Sequence, residues 1–170
     1  MGEKNYIAKK LTMRKILSAI IVLAFLASCK SDAGFNYSQE FVKKERAMIP
    51  AIDSTEDAVG RYAALGEMDS VGIVSESLEK KFDVLLDETK AKPAPDAKGG
   101  EHFKAEVIKY FEYMKSIYTA YKDFARTDGA ERDAARTHML ELVQRKPEIL
   151  TNIQQAQQQF AADNGFKVEK

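Results

Sequence analysis

The chain has no tryptophan, one cysteine, two histidines, four prolines and nine glycines among its 170 residues. A single cysteine excludes an intrachain disulfide framework, a Cys-x-x-Cys metal or redox motif and a Cys-x-x-Cys-His haem attachment. Scarce glycine and proline leave little material for the turns of a many-stranded sheet, and no period-two apolar alternation competes with helix. Neither sign of charge is in surplus, since 26 basic side chains face 26 acidic ones. That balance argues against a nucleic-acid partner, which is bound through clustered lysine and arginine. A long apolar run is also missing: residues 16–27 form an apolar or small stretch of only twelve.

That short stretch carries the first positive signal. Twelve residues of helix reach about 18 Å, well short of a hydrocarbon core of roughly 30 Å. Arg14 and Lys15 stand immediately before it. A short apolar run behind two cations is an export signal rather than a membrane span. Met13 opens a complete signal and residues 1–12 add nothing that a signal needs, so Met13 is the expected initiator. Met1-Gly2 lacks the Ser or Thr at position 6 that N-myristoylation favours, because that position is Tyr6.

Leu26-Ala27-Ser28-Cys29 resembles the lipobox of bacterial lipoproteins: a branched aliphatic residue, two small residues, then cysteine. The resemblance implies that a diacylglycerol is attached to the Cys29 thiol and that signal peptidase II cuts before it. The freed amine is often acylated too, so palmitate labelling is expected. Residues 1–28 are then the signal peptide. The product is an exported envelope lipoprotein, expected on the outer membrane or cell surface rather than the inner membrane. Its first partner is the lipid bilayer itself, held through acylated Cys29. The lone thiol agrees, because it has no disulfide partner and a thioether removes it from an oxidising compartment. Each buried methylene contributes roughly 0.8 kcal/mol, so two or three acyl chains hold a protein on a bilayer almost irreversibly.

Residues 29–170 carry 21 basic and 25 acidic side chains, a net charge of −4. A mildly acidic domain argues against a basic face pressed onto anionic lipid. Residues 29–36 are expected to form a polar, lipidated tether, and residues 37–170 the folded domain. Its Ala, Glu, Lys, Leu and Gln content favours helix. A first helix is predicted from near Ser38, capped by Asn36 or Ser38, with Phe41, Met48, Ile52, Val59 and Tyr62 inward, ending near Gly66. A second, capped by Asp69 or Ser70, carries Val71, Val74, Leu78, Phe82 and Leu85. Residues 91–100 are the one clear loop. In the third helix Phe103, Val107, Tyr110, Met114, Ile117, Tyr121 and Phe124 recur at alternating steps of four and three. That is a heptad seam, widened by Ile108, Phe111 and Tyr118, with Tyr113 projecting away from it. A fourth helix runs from about 130 to 163 through Met139, Val143, Leu150, Ile153 and Phe160, and Asn164-Gly165 closes it as a C-cap. Four helices with mostly short connections predict an all-α, up-down-up-down four-helix bundle.

Chemistry-bearing constellations are sparse. His102 opens the third helix and His138 lies well inside the fourth, levels that differ by roughly 25 Å in an antiparallel pair, so one metal ion cannot bind both. Neither histidine has Glu or Asp three residues before it, as di-iron bundles require. No cofactor, no metal and no nucleophile motif is expected, and the chain reads as a non-enzyme. Gln154, Gln155, Gln157, Gln158 and Gln159, and the run Glu79-Lys80-Lys81, read as solvated surface. Pro50 and Pro147 fall at similar heights of the first and fourth helices, each freeing a carbonyl four residues earlier. Paired kinks there would open a small pocket near Arg46, Asp53, Arg145 and Lys146; alternatively Pro50 ends one helix and Asp53 or Ser54 caps another. The leading functional expectation is a non-enzymatic envelope lipoprotein that binds or scaffolds another envelope protein. The alternative is a small-ligand carrier using the pocket beside the prolines. A Cys29 anchor puts the loop 91–100 and the C-terminus at the membrane end, and leaves the turns 66–70 and 127–130 at the far end for a partner.

Overall fold

Apolar side chains return every three or four residues from Phe41 to Phe160, and a stripe of that period must be buried against a neighbour. The computed structural model describes residues 32–168. It places four α-helices: α1 (Asp32–Leu65), α2 (Met68–Ala91), α3 (Gly100–Arg126) and α4 (Gly129–Asp163). No strand occurs among the described residues, and none of their helices is long and apolar enough to cross a membrane.

Helices adjacent in sequence pack together, and α1 meets α4 along a thinner seam that closes the ring. Cross-helix contacts set the directions. Lys44 Nζ lies 3.0 Å from Glu88, and Lys92 pairs with Glu40, which puts the start of α1 beside the end of α2. Lys115 with Asp83 and Lys122 with Glu79 run α2 and α3 in opposite senses. Phe103, at the start of α3, stacks on Phe160 near the end of α4, with ring centroids 4.6 Å apart. The chain is an all-α four-helix bundle with up-down-up-down order.

The heptad seam of α3 is the middle of the core. Phe103, Val107, Tyr110, Phe111, Met114, Ile117 and Tyr118 are buried, while Tyr121 and Phe124 are half-buried. Phe41 of α1 meets Phe103 and Tyr110 edge-on, and Phe82 of α2 stacks on Tyr118 at 5.8 Å. Each such aromatic pair adds roughly 0.5–1.5 kcal/mol beyond its buried area. Tyr113 does not project away from the seam. It is 9% exposed, and its hydroxyl donates to the Leu142 carbonyl of α4, so a polar tip reaches a backbone acceptor while its ring stays covered.

Several boundaries differ from the sequence expectation. Residues 32–36, assigned above to the tether, are helical, because Gly34 is buried and the Phe35 ring packs on Phe166 at 5.7 Å. Ser38 caps nothing; it is buried, and its hydroxyl accepts a 3.1 Å hydrogen bond from Gln157 Nε2. Gln157 is therefore interior, unlike its neighbouring glutamines. Glu79 is likewise covered, held by Thr119 and Lys122. α2 opens at Met68, ahead of Asp69 and Ser70. Pro50 sits inside continuous α1, so no new helix starts at Asp53 or Ser54, and Pro147 sits inside α4.

The expected C-cap does form at Asn164-Gly165. Gly165 takes φ +74°, its N–H bonds the Ala162 carbonyl, and the Phe166 N–H bonds Ala161, which is the Schellman arrangement. Asn164 then clamps the α2–α3 loop, giving its amide to the Lys98 carbonyl and accepting from the Lys98 N–H. In that loop the Pro95 carbonyl comes within 2.2 Å of where a Cβ on residue 100 would stand, so only Gly100 fits.

Two substitutions test this packing. Phe103→Ala should cost about 3–5 kcal/mol, since both stacked and edge-on partners lose contact. Ser75 is fully buried with no partner for its hydroxyl, so Ser75→Ala should stabilise by about 1 kcal/mol. Both should appear as shifts of the urea midpoint at unchanged slope.

Candidate functional site

A proline inside a helix has no N–H to donate and leaves the carbonyl four residues earlier without its usual partner. Pro50 therefore donates nothing toward Arg46 in α1, and Pro147 nothing toward Val143 in α4. Two side-chain hydrogen bonds tie these helices together: Gln157 to Ser38 at 3.1 Å and Lys146 Nζ to Glu56 Oε1 at 3.3 Å. Both prolines fall between those ties, so they share one level of the bundle.

Of the residues assigned to a pocket there, Arg46, Pro50, Asp53, Arg145 and Pro147 are exposed. Lys146 turns inward, and its partner is Glu56 rather than Asp53. The same Glu56 oxygen accepts a 3.3 Å hydrogen bond from the Tyr118 hydroxyl. About three helical turns nearer the start of α1, the Tyr110 hydroxyl donates to Glu45 Oε1 at 2.8 Å. Sequence reasoning missed both acids. The signal was their position four residues after a core residue of α1, Glu45 after Phe41 and Glu56 after Ile52, which places them on the inward side.

Electrostatics here favours donors over reactive groups. Burial, reinforced by Glu45, pushes the Tyr110 hydroxyl well above its ordinary pKa. Burial and then Glu56 do the same to Tyr118, and they raise Tyr121 to about 12. Burial likewise raises Tyr113 to about 12. These hydroxyls stay protonated near neutral pH, and those of Tyr110, Tyr113 and Tyr118 act as hydrogen-bond donors, not as bases or nucleophiles.

A shallow groove lies elsewhere, between α1, α2 and α3. Phe41, Val107 and Phe111 form its floor, Lys44 and Lys92 flank its mouth, and its volume of about 20 Å³ holds little more than one water. None of the six residues near the prolines lines it. His102 and His138 are exposed on different helices, and no group of three His, Cys, Asp or Glu among the described residues is placed to hold a metal ion. Cys29, with the whole export signal, lies outside the described residues. Comparison of the chain with protein-family models, curated proteins and solved structures gives no match.

The Glu45–Tyr110 pair yields a pH prediction. Burial raises the Glu45 carboxyl above its usual 4.5, although the Tyr110 hydrogen bond and the Arg46 charge pull it back part of the way. A carboxyl whose folded pKa is raised contributes its stability in full below the unfolded value and loses it as pH rises through the folded one. Glu45→Gln keeps an acceptor for Tyr110 and removes the titration. Its stability should vary less between about pH 4.5 and 7 and exceed the unsubstituted chain at pH 7, by urea titration at each pH. An unchanged pH profile would show that the Glu45 charge is not buried.

Proposed function

We propose that this chain is a bacterial envelope lipoprotein, anchored through acylated Cys29, whose helical bundle binds another envelope protein and performs no chemistry itself. The observation that carries the proposal is the run from Arg14 to Cys29: two cations, an apolar stretch too short to span a bilayer, and Leu-Ala-Ser-Cys at its end. Cys29 is also the only thiol, so lipidation leaves no unpaired cysteine in an oxidising compartment. The chain is already helical at Asp32, so no more than three residues separate α1 from the anchor, a reach of at most about 11 Å. The membrane end is then the start of α1 together with the α2–α3 loop and the end of α4.

Protein binding is supported at the opposite end. Leu65 and Ile73 are 65% and 64% exposed beside the α1–α2 turn, where a partner could cover them. The hydroxyls of Tyr110, Tyr113 and Tyr118 are committed to structural acceptors, which supports a role other than catalysis. The carrier alternative gains no comparable support, since five of its six residues meet solvent.

Cys29→Ala should abolish palmitate labelling and leave the precursor uncut in cells. Crosslinking in intact cells should recover one defined protein, with the yield reduced by Leu65→Asp together with Ile73→Asp. Survival of processing and membrane association in Cys29→Ala would end the lipoprotein proposal. A small molecule co-purifying in place of any protein would favour the carrier.

A further inference from the structure

The two inner helices bury side chains along most of their length, α2 from Val71 to Thr89 and α3 from Phe103 to Ala125. The outer pair does not. α1 buries nothing after Ile52, and α4 buries nothing before Met139. Pro50 and Pro147 stand at one level of these same two helices, and each leaves its helix one backbone hydrogen bond short. Sharp bends in helices form at such sites, because the rung that would resist bending is missing.

Beyond the prolines, Lys146 to Glu56 is a side-chain tie from α1 to α4. Glu56 also receives Tyr118 of α3, so this one carboxylate of α1 meets both α3 and α4. Its side chain is 45% exposed, so water can replace either partner when the contact breaks. Tyr113 adds one more tie, from α3 to the Leu142 carbonyl. On the other side of the prolines the outer helices are held by Tyr37, Phe41, Val42, Ile153 and Phe160, all buried.

From this distribution we infer that residues 51–65 of α1 and 129–146 of α4 form two arms that swing together off the α2–α3 hairpin. Pro50 and Pro147 are the hinges, and Glu56 is the latch. Local opening is drawn from the parts of a fold with the fewest buried contacts, and here that part is bounded by two missing backbone bonds at one height. Opening uncovers the Tyr118 and Tyr121 side of α3 and leaves the α2–α3 hairpin and the proximal half of the bundle intact.

Two matched pairs of buried residues straddle the hinges. On α4, Leu142 (8% exposed) lies on the arm and Ile153 (5%) on the proximal side. On α1, Ile52 (5%) lies on the arm and Val42 (3%) on the proximal side. Each is changed in turn to cysteine in the full chain carrying Cys29→Ser, so that the introduced thiol is the only one. Thiol labelling under native conditions should be at least about tenfold faster at 142 than at 153, and likewise at 52 than at 42. Glu56→Gln, or Lys146→Gln, should then speed labelling at 142 and 52 roughly fivefold and leave 153 and 42 within about twofold. Equal rates within each pair would overturn the inference. So would latch variants that accelerate all four sites alike, because the thiols would then be reached only by global unfolding. If one cysteine variant fails to fold, the pair on the other helix decides.

Discussion

Burying tyrosine in place of phenylalanine imposes a constraint on the neighbours: each hydroxyl taken out of water needs an acceptor at a fixed height. α3 imposes it three times. Tyr110 is met by Glu45, Tyr113 by the Leu142 carbonyl and Tyr118 by Glu56, two acceptors from α1 and one from α4. An apolar seam alone tolerates sliding, because one leucine replaces another at little cost. Hydroxyl-to-acceptor contacts do not, since a shift of one turn strands a buried donor at a cost of about 1–3 kcal/mol. The register of the outer helices on the inner pair rests on these bonds.

Glu45 on α1 behaves differently from Glu79 on α2, and the difference lies in what faces each carboxyl. Glu79 is pushed up by burial, but Lys122 and Thr119 outweigh that and hold its carboxyl below the usual range. Glu76, on the surface beside Lys80 and Arg126, is drawn down to about 2 by their hydrogen bonds. Glu45 faces a neutral hydroxyl, and burial prevails. The α2–α3 interface therefore pairs charge with charge, while the α1–α3 interface pairs charge with dipole. That contrast agrees with a continuous core between α2 and α3 and a tapering one under α1 and α4.

What could be read from the sequence was whatever depends on local periodicity. The 4-3 spacing from Phe103 to Phe124 defines a helix face whatever it packs against, and Asn164-Gly165 is a local cap. The shared level of Pro50 and Pro147 followed from counting residues in an antiparallel order. The misses share another cause. Gln157 is interior because Ser38, 119 residues away, accepts its amide, and no local pattern encodes that. Tyr113 looked outward because its acceptor is a carbonyl of another helix. Residues 32–36 looked like a tether because they are small and polar around Phe35, whose partner Phe166 is almost at the other end of the chain. The candidate site was legible as a level and not as a set of contacts: Lys146 was picked out, but its partner Glu56 was passed over for Asp53.

The pairings of Phe35 with Phe166 and Ser38 with Gln157 join the first turns of α1 to the end of α4 and the turn after it. Long-range contacts of this kind form only after the intervening chain has been closed into a loop. The Asn164 clamp on Lys98 belongs to the same late set. Until the C-terminal turn has left the ribosome, α1 lacks the neighbour that buries its first turns, and the nascent chain lacks its closing seam. If the chain is threaded through a translocation channel, as the proposed export requires, delayed closure keeps it loose during transit.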